Sequence, residues 1–309
     1  MNISAIIVTY NRIDKLKRTL ALLEAQTRPP DLICVVDNNS TDGTATFLLD
    51  WKKNGDVKKD IIRLHENTGG SGGFYYGLKY ALELNTDWIW VSDDDAFPNI
   101  QAFEKAENFL MEHESMNISA ICGKVINNGK IDFLHRSSYV KKGLSIKHIV
   151  SNEQDYLKDY FPINAFSYVG TLINKSKLLQ TGVTNKDYFI WFDDTEHSLR
   201  LSKVGDVLCV PAVVINHDVK ADTQPYSWKS YYGIRNSLDM YRRAFPWYCY
   251  TYHLFKKIMM CFLYMCFTPR LFKTTKEFTE MYSTAVFDAK NNRLGLNSIY
   301  KPGWKSSEY

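Results

Sequence analysis

Ile3-Ser4-Ala5-Ile6-Ile7-Val8-Thr9-Tyr10-Asn11-Arg12 opens the chain with a six-residue apolar run that ends in polar side chains. Its length and β-branched content are those of a buried strand. Leu16, Leu20 and Leu23 then fall on one face of a helix, and Pro29-Pro30 closes the segment. Residues 32–36 read as a second strand, which leaves Asp37 at its C-terminal end. The alternation continues with a helix over 44–53, a short strand over 61–64, a helix over 73–84 opened by a glycine-rich turn, and a strand over 88–92. Repeated units of this kind build an α/β fold with a mainly parallel sheet. Ligands of such sheets bind beyond the carboxyl ends of the strands. Residues 9–12, 37–40, 65–73 and 93–95 are therefore expected to converge on one cleft.

Further on, 99–114 reads as helix, 118–125 as extended, 166–173 as strand, 195–203 as helix and 207–210 as strand. The stretch between, up to Pro162, has no clear period. Beyond Ser227 the pattern becomes helical and aromatic, which divides the chain into residues 1–226 and a C-terminal helical segment, 227–309.

Composition bounds the function. The 309 residues include 45% hydrophobic and 23% charged side chains, enough to bury a large core. The net charge, 38 − 34 = +4, is too mild for a general nucleic-acid binder. Charge is segregated, however: from Arg242 through Lys276 there are seven basic residues and no acidic one. Within this stretch the apolar run 258–267 is too short to span a bilayer, which takes roughly 20 residues. A basic, aromatic helix of this kind suits either the membrane interface or an ordinary buried hairpin. The six cysteines lack metal-site or redox spacing and read as buried thiols of a reducing compartment. No cationic segment precedes a long apolar core at the start, so the cytoplasm is the expected location.

Several clusters point to chemistry. Asp93-Asp94-Asp95 follows the apolar Trp88-Ile89-Trp90-Val91, and clustered carboxylates repel unless a cation neutralises them. Asp93 and Asp95, alternate residues, can turn toward one ion, and hard oxygen donors favour Mg²⁺ or Mn²⁺; an acidic turn is the plain alternative. Gly69-Gly70-Ser71-Gly72-Gly73 offers backbone N–H groups and a positive helix end to phosphate or sugar oxygens. It is neither a dinucleotide fingerprint nor a Walker loop. In Trp191-Phe192-Asp193-Asp194-Thr195-Glu196, aromatic neighbours would desolvate a carboxylate and make it a stronger base, although helix capping explains the acids equally well. His217 could add an imidazole to the ion. Trp228, Tyr231, Tyr232, Arg235 and Asn236 could stack a sugar and pair a phosphate.

In order and spacing, residues 6–12, Val35-Val36-Asp37-Asn38-Asn39-Ser40, the glycine cluster, the Asp triplet and the later Asp-Asp-x-Glu resemble family-two inverting glycosyltransferases, most closely bacterial galactofuranosyltransferases with rhamnosyltransferases as near relatives. The resemblance covers roughly residues 3–236. It implies a GT-A fold, a nucleotide-sugar donor with UDP-galactofuranose first, and Mn²⁺ or Mg²⁺. Thr9, Asn11, Arg12 and Asp37 would hold the nucleotide, helped by Asn67, Gly69, Gly70, Gly72, Gly73, Asp93 and Asp94. Asp93, Asp95 and His217 would hold the metal, and Asp194 would be the catalytic base. Trp191, Asp193, Glu196, Trp228, Tyr232 and Arg235 would meet a lipid-linked or oligosaccharide acceptor. The resemblance further implies a peripheral protein on the inner face of the cell membrane, with no nucleic-acid partner and able to form homo-oligomers. Asn38-Asn39 departs from the acidic and glycine residues usual after the strand-two Asp. The short chain suggests a single-linkage enzyme. A rhamnosyltransferase using dTDP-rhamnose is the first alternative, followed by a nucleotidyltransferase and a non-catalytic membrane-surface module.

Overall fold

The computed structural model describes residues 1–219, 226–267 and 276–306. Its elements are β1 (Ile3–Thr9), α1 (Ile13–Glu24), β2 (Leu32–Asp37), α2 (Thr44–Trp51), β3 (Lys58–Arg63), α3 (Gly69–Ala81), β4 (Trp88–Asp93), β5 (Ala96–Pro98), α4 (Ala102–Glu112), β6 (Ile118–Asn127) and β7 (Lys130–Ile131). There follow β8 (Arg136–Lys142), β9 (Ser145–Val150), β10 (Phe161–Ile163), β11 (Ala165–Phe166), β12 (Val169–Asn174), α5 (Lys175–Thr181), α6 (Asp193–Leu201), β13 (Asp206–His217), α7 (Trp228–Ala244), α8 (Trp247–Phe267) and α9 (Lys276–Lys290).

The main sheet runs β10-β13-β6-β12-β4-β1-β2-β3. Strands β4, β1, β2 and β3 are parallel, and β12 enters antiparallel to β4 and β6. Every residue of β1 and β2 is buried, as the unbroken apolar runs require of strands covered on both faces. Alternation sorts the side chains. Ile3, Ala5 and Ile7 pack with Leu16, Leu20 and Leu23 of α1, whereas Ile6 and Val8 pack with Phe74 and Leu78 of α3.

The seat of α3 on β1 is unusually close. A Cβ at Gly73 would lie 2.5 Å from Val8 Cγ1, and one at Gly77 would lie 2.4 Å from Ile6 Cγ2. The helix begins at Gly69, so the glycine run forms its first turns and does not precede it. The expected strand over 166–173 is broken at Ser167 and Tyr168, with Gly170 at φ +66° where β12 bulges. The expected strand over 207–210 is longer, and β13 runs to His217.

The stretch without period holds a separate sheet, β11-β8-β9. Lys142 pairs with Ser145 across a two-residue loop, and Gly143 supplies φ +62° at its first position, as a tight hairpin demands. This hairpin docks on α8: Lys141 Nζ bonds the Tyr248 hydroxyl at 2.8 Å, and Ile146 N–H donates to His253 Nε2 at 3.0 Å. Five cysteines are buried as expected, but Cys266, near the end of α8, is exposed. Among the described residues, no helix is long and apolar enough to cross a membrane.

Candidate active site

One cleft of about 560 Å³ opens at the carboxyl ends of β1 and β4. Of the residues expected there, Thr9, Arg12, Asn67, Gly69, Gly70, Asp93, Asp94, Asp95, Trp191, Asp193, Asp194, His217 and Trp228 line it. Asn11 and Asp37 stand beside it, joined through Ser40: Asn11 N–H donates to Ser40 Oγ at 3.0 Å, and Ser40 N–H donates to Asp37 Oδ1 at 2.8 Å. Asp37 Oδ2 is buried without a hydrogen-bond partner and faces Arg63 Nε at 3.7 Å. Asn38 also lines the cleft. Its amide ties the β2 loop to the start of α3, donating to Gly69 O at 2.7 Å and accepting from Thr68 N–H at 2.9 Å.

The three adjacent aspartates have different environments. Asp94 Oδ2 accepts from Thr9 Oγ1 at 2.7 Å and Oδ1 faces Arg12 Nη1 at 3.3 Å. Burial nevertheless pushes its carboxyl up to about 6. Asp95 receives Arg12 Nη1 at 2.7 Å, Lys15 Nζ at 3.5 Å and His217 Nε2 at 3.3 Å. Burial raises its pKa, but these groups outweigh burial and hold it below the usual range. Asp93 has no such partners. Burial, then repulsion from Asp95 and Asp94, pushes it well above the ordinary value. His217 Nδ1 is buried and has no partner.

Excess negative charge, an open imidazole nitrogen and hard oxygen donors suit a divalent cation. The donors are not yet closed around a point, since no three His, Cys, Asp or Glu side chains among the described residues form a ready cage. Arg12 and Lys15 supply the counter-charge in this arrangement.

The opposite wall is built on the loop before α6. Phe189, Trp191 and Phe192 all have positive φ, between 65° and 69°. Each such residue costs of order 1–3 kcal/mol and persists only when its surroundings enforce it. The fully buried Asn236 does so, its amide nitrogen lying 3.0, 2.9 and 2.9 Å from the carbonyl oxygens of Tyr188, Ile190 and Trp191. Arg235 adds bonds to the Tyr188 and Gly295 carbonyls at 3.1 and 2.7 Å. The clamped loop sets Asp193 and Asp194 in the first turn of α6. Burial raises both carboxyls, Asp193 further by the charge of Asp194. Asp194 remains partly open to the cleft and accepts from Thr195 N–H at 2.6 Å.

Five acceptor or donor expectations are corrected by packing. Arg235 is 1% exposed, with its guanidinium spent on backbone carbonyls and Asn236, so it is not offered to a phosphate. Tyr232 is buried among Phe189, Trp228 and Tyr231. Glu196 is buried and paired with Arg200 at 2.9 Å. Gly72 and Gly73 do not line the main cleft: a Cβ on Gly72 would meet Thr68 at 2.2 Å, and Gly73 is the contact to Val8. These glycines are there for close packing.

Sequence reasoning missed His135 and Ser167, which line the cleft. His135 sets its ring edge-to-face against His217 at 5.0 Å, with Nδ1 2.5 Å from Ser167 Oγ and Nε2 3.5 Å from Asp132. It also missed Arg136, a fully buried cation bonding the Gly123 and Val169 carbonyls at 2.8 and 2.6 Å. No periodicity marks that stretch. Lys15 was readable, since it lies three residues from Arg12 at helical spacing.

Residues 4–180 match the family described as glycosyl transferase family 2. Galactofuranosyltransferase GlfT1 of Mycobacterium tuberculosis is 30% identical over 207 residues, and the match covers 66% of each chain, just under two thirds of the relative's length. The dTDP-rhamnosyl transferase RfbF of Shigella flexneri is 28% identical over 220 residues, 71% of this chain and 69% of that one. Among solved structures, S. aureus TarS 1-349 in complex with UDP-GlcNAc superposes with a TM-score of 0.60 at 15% identity, covering 94% of this chain and 81% of that one. GalNAc-T7 with UDP, GalNAc and Mn²⁺ gives 0.65 at 15%, covering 92% and 54%. The likeness to these structures shows a shared GT-A glycosyltransferase fold. With its family match spanning more than half its length, the chain belongs to glycosyl transferase family 2.

Proposed function

We propose that the protein is an inverting hexosyltransferase. It moves a sugar from a nucleotide-sugar donor, UDP-galactofuranose first, to a hydroxyl of a lipid-linked or oligosaccharide acceptor. The setting is bacterial surface polysaccharide such as O antigen or capsule. Residues 1–226 would be the transferase domain, and 227–309 would hold it at the inner face of the cell membrane or against a second copy. The observation that carries the reading is the placement of Asp194 in one cleft with Asp93, Asp95 and His217.

In this mechanism the acceptor oxygen forms its bond to the anomeric carbon as the bond to the diphosphate breaks. Asp194 accepts the hydroxyl proton; its raised pKa makes it a better base than a free carboxylate. Thr9, Arg12 and Asn67, with the N–H group at Gly70, would bind the nucleotide, and Asp37 beside them would accept from its base. Trp191, 45% exposed, and Trp228 would present aromatic faces to a sugar. Asp93, Asp95 and His217 would hold Mn²⁺ or Mg²⁺, which when bound supplies positive charge to the departing diphosphate.

The test is a donor screen of the purified full chain with UDP-galactofuranose, UDP-galactopyranose, UDP-glucose and dTDP-rhamnose, read by released nucleoside diphosphate. Preference for dTDP-rhamnose would favour a rhamnosyltransferase, a reading that the RfbF similarity also supports. Pyrophosphate release would overturn glycosyl transfer in favour of nucleotidyl transfer, and inertness toward every donor would favour a binding module.

A further inference from the structure

The hairpin of β8 and β9 and the outer face of α8 form one surface that no catalytic argument uses. Trp247, Phe255, Ile258, Met259, Phe262 and Met265 are 40–77% exposed. At 3.6 residues per turn all six fall within an arc of about 120°, one face of the helix about 27 Å long at 1.5 Å per residue. At the turn of the hairpin, Leu144 is 55% exposed, flanked by the exposed Lys142 and Lys147. The bonds of Lys141 to Tyr248 and of Ile146 to His253 fix the hairpin against the first two turns of α8.

The charge on this surface has one sign. Neither residues 133–150 nor residues 242–276 contain an acid. Of the acids of neighbouring α9, Asp288 bonds Tyr231 and Glu277 bonds Ser306, while the exposed Glu280 lies 3.8 Å from Lys276. Apolar groups beside lysines, on two segments that contain no acid, repel a second copy of themselves but complement a layer with apolar depth and anionic heads.

We infer that β8–β9 and α8 together dock the protein on an anionic phospholipid bilayer, with the α8 stripe and Leu144 inserted at the interface and Lys142 and Lys147 among the head groups. The inference rests on the membrane-held reading above and adds the hairpin, which lies outside the C-terminal segment, as its second arm. Docking also places the catalytic centre. The foot of the hairpin pairs with β11, whose Phe166 N–H donates to Ser198 Oγ of α6, the helix whose first turn carries Asp194.

The experiment is flotation of the full chain with vesicles of phosphatidylcholine alone or mixed with phosphatidylglycerol, at low and high salt. The protein should float with the anionic vesicles, less so at high salt, and remain below with the neutral ones. Each lysine near the surface contributes about fivefold to partitioning, so Lys142→Gln with Lys147→Gln should lower binding by roughly 25-fold. Phe262→Ser with Met265→Ser should also lower it. Donor hydrolysis in solution should be unchanged in both variants, which separates failure of docking from failure of the transferase reading. No flotation with anionic vesicles, or equal binding to both kinds, would overturn the proposal. So would full binding by the lysine variant, or a dimer in light scattering that the α8 substitutions dissociate without any vesicle binding.

Discussion

Asp194 must be both charged and hungry for a proton, and its place in the first turn of α6 supplies both conditions: the helix end favours the anion while burial raises its pKa. Asp194→Asn is expected to lower kcat by about 10²- to 10⁴-fold with donor affinity unchanged, measured by initial rates and by UDP titration. The sign of the pH effect follows from the raised pKa. The base works only when deprotonated, so activity should fall as pH drops through a value above the ~4 of a free carboxyl. An acid limb of kcat/KM at or below 4 would place the base elsewhere. Asn236 acts one step removed, by holding the carbonyls of Tyr188, Ile190 and Trp191 in a loop that the positive φ of Phe189, Trp191 and Phe192 disfavours. Asn236→Ala should cost about 1–3 kcal/mol of stability by leaving buried carbonyls unpaired, seen in chemical denaturation, and should depress kcat more than donor KM. Phe192→Gly in the same chain should recover part of kcat, because glycine adopts φ +69° freely. A stability loss with normal turnover per folded molecule would make the clamp structural only.

The glycine-rich start of α3 shows what an element reveals in sequence and what it hides. Its position after β3 and its approach to the cleft were legible, and Gly69 and Gly70 are in the wall. Hidden was the division of labour: Gly69 yields to the Phe189 carbonyl, 2.0 Å from where its Cβ would be, and Gly73 yields to Val8. Gly73→Ala is expected to destabilise by about 1–3 kcal/mol through overpacking, with partial recovery by Val8→Ala in thermal melts. Gly69→Ala should have no side-chain remedy, because its obstacle is backbone and its φ is +74°. The parallel strands were readable because burial on both faces leaves unbroken apolar runs such as Ile6-Ile7-Val8. The acids at their ends were readable because polar residues cannot continue such a run. The β8–β9 hairpin was not, since it is largely exposed and carries no apolar alternation. Arg235 was misread because a cation on an aromatic helix looks available, and only tertiary contact reveals that its donors are committed to carbonyls.

Over the whole molecule, charge is sorted into an acidic cleft and a basic outer face, and the sorting constrains how an anionic donor enters. Asp93, Asp94 and Asp95 face the cleft, while Arg12 and Lys15, the nearest cations, are already paired with Asp95. A nucleoside diphosphate arriving alone would meet carboxylates whose neutralising partners are occupied, and repulsion in a partly enclosed site is weakly screened. A divalent cation removes that conflict, so donor and ion should bind with positive coupling, each strengthening the other by the same factor. Thermal unfolding with UDP, with Mn²⁺ and with both checks this directly. A ligand at about 100 times its Kd stabilises by about 2.7 kcal/mol, and the shift with both present should exceed the sum of the separate shifts. His217→Ala should reduce the excess, since it removes the imidazole beside Asp95. A UDP shift that is the same in chelator as in Mn²⁺ would mean that the protein's own cations at the cleft, Arg12, Lys15 and Lys229, neutralise the diphosphate, and that the acidic triplet serves to orient Arg12 and Lys15.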